Sequence, residues 1–286
     1  MLLVTLVRTP TLSEGDIATA REILGGGDIG WLTEGKAADI SGIGDGKVAE
    51  LEAALPHVDV FSQEERARER KLFVADMDST MISVECIDEL ADFAGLKSEI
   101  AAVTEAAMRG ELDFEAALRR RVSLLEGLDE GAIQSCLNER VKDNPGARTL
   151  VATLKSRGVR TVLVSGGFTA FAGPVGERLG FDRVVANVLE IGGGKLTGGL
   201  AGPVVDAATK REVLLEEAEQ LGIGPDAAIA MGDGANDLQM VKVAGLGVAF
   251  HAKPALAEKA NANIRNGPLT TLLFALGIPE AEWTEA

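Results

Sequence analysis

The sequence has no tyrosine, aromatics amount to only 4%, and there are just two cysteines, Cys86 and Cys136. Two cysteines build neither a disulfide scaffold nor a four-cysteine zinc site. So few aromatics leave little to stack bases on. The two histidines, His57 and His251, stand far apart and have no metal-ligand spacing. No run approaches the roughly 18 apolar residues of a membrane-spanning helix. The apolar start Met1–Val7 lacks the basic leader and small-residue cleavage site of a signal peptide. Positive charge is also short: 28 Lys and Arg against 44 Asp and Glu give a net charge of −16. Such a balance argues against a nucleic-acid backbone or an anionic membrane as partner. A small anionic substrate stays compatible, because a metal ion and a few cations reverse the local field. The expectation is a soluble, cytoplasmic protein; monomer and homodimer both fit.

The 286 residues, 46% apolar and 25% charged, suffice for about two domains with a large core. Residues 1–70 read as a small α+β unit. Leu2–Val7 is strand-like, Ser13 caps a helix to Leu24, Lys47–Leu55 is a short helix and Val58–Phe61 a strand. Ile29–Ile40 fits either element. The charged run Ser62–Lys71 (SQEERARERK) has no apolar face and reads as a linker or a solvated helix, and as the domain boundary.

From Lys71 the pattern is β/α. Leu72–Ala75, Arg160–Val164, Ala227–Met231 and Leu246–Phe250 are continuous apolar runs alternating with helices, which implies a parallel sheet buried on both faces. The first three runs end in Asp76, Ser165 and Gly232-Asp233, at the sheet edge where open α/β sheets bind ligands. Between the first two lie helices at roughly Val84–Ala94, Ser98–Arg109, Asp113–Glu126 and Glu130–Val141. They read as a helical cap inserted over the strand ends, about residues 83–145, within a domain spanning 71–286. Ile191–Leu200 (IGGGKLTGGL) reads as a hairpin with a flexible tip. The expected fold class is α/β: a Rossmann-like parallel sheet with helices on both faces, the inserted cap, and the small N-terminal α+β domain.

Four stretches can carry chemistry. Asp76-Met77-Asp78-Ser79-Thr80 places two carboxylates at i and i+2 after a buried strand. Their repulsion calls for a cation, and hard oxygen ligands suit Mg²⁺. Ser165-Gly166-Gly167 offers a hydroxyl and backbone N–H groups for a phosphate, or simply caps a helix. Lys210 opens a helix, where a cation opposes the macrodipole; a bound anion would explain it, as would a solvated surface position. Gly232-Asp233-Gly234-Ala235-Asn236-Asp237 adds two carboxylates and an amide at a third strand end.

In this order, D-x-D-S-T, S-G-G, K and G-D-G-x-N-D resemble the haloacid dehalogenase superfamily of phosphatases. Glu85, the stretch Ala107–Phe114, Arg121-Val122-Ser123 and His251-Ala252-Lys253-Pro254 narrow the resemblance to its phosphoserine phosphatase family, over about residues 71–275. The resemblance implies Asp76 as nucleophile and Asp78 as general acid/base. It implies Mg²⁺ on Asp76, the Asp78 backbone carbonyl and Asp233. Ser165, Gly166 and Lys210 would hold phosphoryl oxygens. Asn236 would contact substrate or phosphate, and Asp237 would orient the metal shell or Lys210. Phe114, Leu118, Arg121 and Leu125 share one helix face. Arg121 there suits a carboxylate and Glu85 an ammonium, the two ends of an amino acid. Met108 and Phe114 would close the pocket. The expected reaction converts O-phospho-L-serine and water to L-serine and inorganic phosphate, the last step of serine biosynthesis. The rival readings are another small phosphomonoester, phosphate transfer to an alcohol, and an inactive amino-acid-binding regulator. For residues 1–70 an ACT-like module is one reading; bracing or dimerising the core are others.

Overall fold

The computed structural model describes residues 1–108 and 111–285, Met108 by its backbone alone. The chain builds two sheets. The first is antiparallel, in the order β2-β3-β1-β4. Its strands are β1 (Leu2–Val7), β2 (Asp28–Thr33), β3 (Ala37–Ser41) and β4 (Asp59–Glu64), with α1 (Glu14–Leu24) after β1 and α2 (Val48–Ala54) before β4. This is the split β-α-β-β-α-β arrangement. Ser13 caps α1 through a reciprocal capping box with Asp16, and Gly25 closes it in the left-handed region at φ 78°. The stretch Ile29–Ile40 resolves into the β2–β3 hairpin. Its outer strand is largely exposed, so it lacks the buried alternation that marks a strand in sequence.

The run Ser62–Lys71 corrects the expectation of a solvated linker or helix only in part, since Glu65–Arg68 is a short helix with no fully buried residue. Ser62 to Glu64 belong to β4. Arg68 is largely buried against Asp39 and Thr5, and Arg70 is buried with its guanidinium on the Asp226 carbonyl. Arg68 found its acceptors on β1 and β3 of the same N-terminal unit and Arg70 found one across the domain contact, and a reading of local pattern anticipates neither.

The second sheet has the order β11-β10-β9-β5-β6-β7-β8. Its strands are β5 (Leu72–Ala75), β6 (Arg160–Phe168), β7 (Arg183–Gly192), β8 (Lys195–Ala201), β9 (Ala228–Gly232), β10 (Leu246–Phe250) and β11 (Ala262–Ile264). All neighbours are parallel except β7 and β8. Alternate residues of β5 serve opposite cores: Phe73 and Ala75 pack on one face, Leu72 and Val74 on the other. The first face is covered by α7 (Ala147–Ser156), α8 (Thr169–Leu179) and α12 (Thr271–Ala275), the second by α9 (Ala207–Gln220) and α10 (Leu238–Val243).

The cap lies between β5 and α7. It comprises α3 (Cys86–Phe93), α4 (Lys97–Met108), α5 (Phe114–Ser123) and α6 (Gly131–Glu139). Its two connections run side by side: Ile82 bridges Asp143, and the Asn144 side chain donates to the Thr80 and Ile82 carbonyls. The tip of the β7–β8 hairpin is not free. Glu130 N–H donates to the Gly194 carbonyl at 3.0 Å, and Gly127 and Leu196 N–H groups bond across to Leu196 and Leu128. The hairpin therefore straps the cap to the core.

Candidate active site

Asp76 follows β5 and is buried, its N–H donating to the Met231 carbonyl of β9. A wide turn at Met77–Met81 comes next, in which Ser79 is left-handed at φ 55°. The turn brings the Asp78 carboxylate back over the strand ends. Its Oδ1 accepts the Cys86 N–H at 3.0 Å, and its Oδ2 accepts the Ser165 hydroxyl at 3.3 Å. Burial, then the charges of Glu85 and Asp76, push Asp78 up to about 7, against the Cys86 hydrogen bonds. A carboxyl that titrates near neutrality can both give and take a proton there.

Lys210 sits in the first turn of α9, yet it is fully buried. Its Nζ lies 2.7 Å from Asp76 Oδ1 and 2.7 Å from Asp237 Oδ1. Burial alone would lower its pKa, but Asp237 and Asp76 outweigh it and hold the ammonium charged. Asp237 is fully committed: its second oxygen accepts the N–H groups of Asp233 and Gly234, both at 3.2 Å. Gly232 makes this possible, since a Cβ there would lie 2.2 Å from Asp237 Cγ. Asn236 Nδ2 reaches Asp76 Oδ2 at 3.3 Å. Asp76, Asp233 and Asp237 offer carboxylate oxygens all within 4.8 Å of one another, a set that could hold a metal ion. Asp76 and Asp233 have the free capacity, whereas Asp237 is taken by Lys210 and the backbone. An all-oxygen set of this kind fits a hard divalent cation.

These groups floor a cavity of about 500 Å³, walled by Glu85, Phe114, Leu118, Arg121, Gly166 and Lys253 among others. Phe114 comes down from the cap to within 3.2 Å of where a Gly166 Cβ would be. Glu85 accepts a hydrogen bond from the Ser79 hydroxyl at 2.8 Å, and burial raises its pKa. Arg121 is half-buried, its pKa lowered by that burial, and its Nε is buried without a partner. An unsatisfied buried donor at a cavity wall asks for an acceptor from a ligand. Every sequence-derived site residue therefore converges on one cavity or its supporting bonds, apart from Met108, whose side chain lies outside the described residues. Ser165 is not a helix cap: it stands within β6, and its oxygen accepts the Gly167 N–H at 2.8 Å.

Two contributors were missed. Asn187, buried in β7, donates to the Gly166 carbonyl and accepts from Val205 N–H, both at 2.8 Å, and so fixes the glycine loop. Lys253 places its ammonium 3.1 Å from Asp233 Oδ2. Lys253 stood within a stretch that carries the family resemblance but had no role assigned to it; Asn187, an amide between the apolar Val184-Val185-Ala186 and Val188-Leu189 of β7, carries a weak signal.

A haloacid dehalogenase-like hydrolase family model matches residues 73–242. A phosphoserine phosphatase of Albidiferax ferrireducens is 52% identical over 213 residues, covering 73% of this chain and 90% of that protein. The unliganded structure of a probable phosphoserine phosphatase from Vibrio cholerae superposes with a TM-score of 0.82 at 36% identity, over 98% of this chain and 88% of the other. A substrate-bound phosphoserine phosphatase complex gives 0.67 at 41% identity, over 72% and 97%. On the family match over residues 73–242 and these relatives, this chain belongs to the haloacid dehalogenase-like hydrolases.

Proposed function

We propose that the protein is a phosphoserine phosphatase, hydrolysing O-phospho-L-serine to L-serine and inorganic phosphate. The observation that carries this is the pairing of Glu85 and Arg121 on the walls of a cavity floored by Asp76. An ammonium and a carboxylate on one carbon, one methylene away from a phosphate ester, describe phosphoserine. The phosphoserine phosphatases among its relatives agree.

Asp76 attacks phosphorus and forms an aspartyl-phosphate, so one difficult displacement becomes two easier ones. Asp78, held over the strand ends by Cys86 N–H and the Ser165 hydroxyl, protonates the departing serine oxygen. It then takes a proton from the water that attacks the aspartyl-phosphate, releasing phosphate and Asp76. Lys210, the Ser165 hydroxyl and the Gly166 N–H hold phosphoryl oxygens, while Asn236 contacts the substrate and Asp237 keeps Lys210 charged and aimed. Asp76, Asp233 and the Asp78 carbonyl would hold Mg²⁺, which when bound would neutralise charge on the phosphoryl group. Phe114 and the cap face exclude water from the reacting centre.

We place the enzyme in the cytoplasm, where its two free thiols suit a reducing compartment. We read residues 1–70 as a domain of their own, and their β-α-β-β-α-β order supports an ACT-like reading. The test is phosphate release from a panel of phosphomonoesters, with Mg²⁺ and with EDTA. Phosphoserine should have the highest kcat/KM. Equal rates on p-nitrophenyl phosphate or phosphoethanolamine would reject the assignment.

A further inference from the structure

Residues 1–70 contribute no side chain to the cavity lining, yet one of their carboxylates is tied to it through hydrogen bonds and a short length of chain. Asp59 opens β4 and is buried. It accepts the N–H groups of Arg265 at 2.8 Å, Asn266 at 3.1 Å and Gly267 at 2.8 Å, all from the other sheet's domain. The fit is close: a Cβ on Gly267 would lie 2.0 Å from Thr271 Oγ1 and 3.0 Å from Asp59 Oδ2. The Gly267 carbonyl in turn accepts from His251 Nε2 at 2.9 Å. A carbonyl only accepts, so Nε2 carries the proton.

His251 stands at φ 43° and stacks on Phe250 with ring centroids 4.3 Å apart. A non-glycine residue keeps that conformation only where its surroundings hold it. Its left-handed turn directs the chain leaving β10 back towards the site. Two residues on, Lys253 N–H donates to the Asp233 carbonyl at 2.9 Å, and Nζ pairs with the Asp233 carboxylate at 3.1 Å.

We propose that Asp59 is a positioning residue for Asp233: the N-terminal unit sets the metal-binding carboxylate through loop 265–267, His251 and Lys253. This rests on the reading that Asp76 and Asp233 hold the divalent cation.

The test uses the full chain and Mn²⁺ as a paramagnetic probe, with binding followed by electron paramagnetic resonance. Asp59→Asn sets an amide among the loop's N–H donors. The Mn²⁺ Kd should rise roughly 2- to 30-fold, the range of coupling carried by such networks. In a Lys253→Met background the same substitution should do much less, since both act along one route. A lower Tm with unchanged Mn²⁺ affinity would reduce Asp59 to a brace and overturn the proposal, as would full additivity with Lys253→Met. Should Asp59→Asn fail to fold, His251→Phe keeps the stack and removes the donor; unchanged Mn²⁺ affinity there is equally fatal. Wild type that binds no Mn²⁺ would instead sink the metal-site reading. Binding lost in Asp233→Asn but unaltered in Asp59→Asn would sink this proposal alone.

Discussion

Lys210 and Asp76 form an ion pair of 2.7 Å with only 1% and 4% of their side chains exposed. A buried charge pair is held for a purpose or costs stability, because desolvation offsets much of the attraction. Here the ammonium lies against Oδ1 of the carboxylate proposed to attack phosphorus, and so holds Asp76 in place before substrate arrives. Asp76→Asn keeps the size but removes the nucleophile and one metal ligand. Turnover should fall roughly 10³-fold or more. Beryllofluoride, a phosphoryl mimic, should trap the wild type only. Near-normal phosphate release by the variant would refute covalent catalysis through Asp76.

The cap residues should separate substrates. A charge-assisted contact contributes about 1.5–3 kcal/mol, so Arg121→Ala should lower kcat/KM for phosphoserine by about tenfold or more. p-Nitrophenyl phosphate, with no carboxylate, should lose much less. Glu85→Gln should impair phosphoethanolamine and spare phosphoglycolate. An equal loss on all esters would make Arg121 a part of cap packing.

Metal exchange gives a third test. The oxygen donors of Asp76 and Asp233 suit Mg²⁺. Ca²⁺, with longer bonds and more ligands, would let Asp76 chelate instead of attacking in line. Mg²⁺ should restore EDTA-treated enzyme and excess Ca²⁺ should inhibit it. Full rates without added metal would contradict this.

The N-terminal unit should be acid-sensitive through Asp16. Burial would raise the pKa of this carboxyl, but hydrogen bonds from His57, Ser13 and Arg8 outweigh it and hold it well below its usual 3.8. A depressed carboxyl stabilises the fold at pH values above its unfolded pKa. That contribution is lost as pH falls below about 4 towards the folded value. Thermal melts should show Tm dropping over that range, with a smaller drop in Asp16→Asn. Parallel pH profiles for the two proteins would refute the linkage.

The carboxylates and hydroxyl of the proposed catalytic floor were legible because they stand at the polar ends of apolar strands. Asp76, Ser165 and Asp233 needed only period, burial and order to be found. Lys210 was visible as a cation misplaced at a helix start, and burial between two carboxylates explains it. Asn187 and Lys253 were not found because their roles arise from β7 and β10 lying on either side of β5 in the sheet. Arg68 and Arg70 were misread for a related reason: a charged residue declares its solvent preference in sequence but not its acceptor. The edge strand β2 stayed ambiguous because no face of it is well buried.

The paired connections at Ile82 and Asp143 bear on how such an enzyme changes its diet. The cap leaves and rejoins the core at touching points, stitched by Asn144 to the carbonyls of Thr80 and Ile82. A segment whose ends already meet can be replaced by one of another length with little extra closure entropy. The nucleophile's turn lies on the core side of that seam, while Arg121 and Phe114 lie beyond it. Specificity can therefore be exchanged as a cassette, provided the incoming segment keeps the N–H that Cys86 donates to Asp78. Natural diversification of substrate should concentrate between residues 83 and 142, and laboratory grafts have the same two cut points.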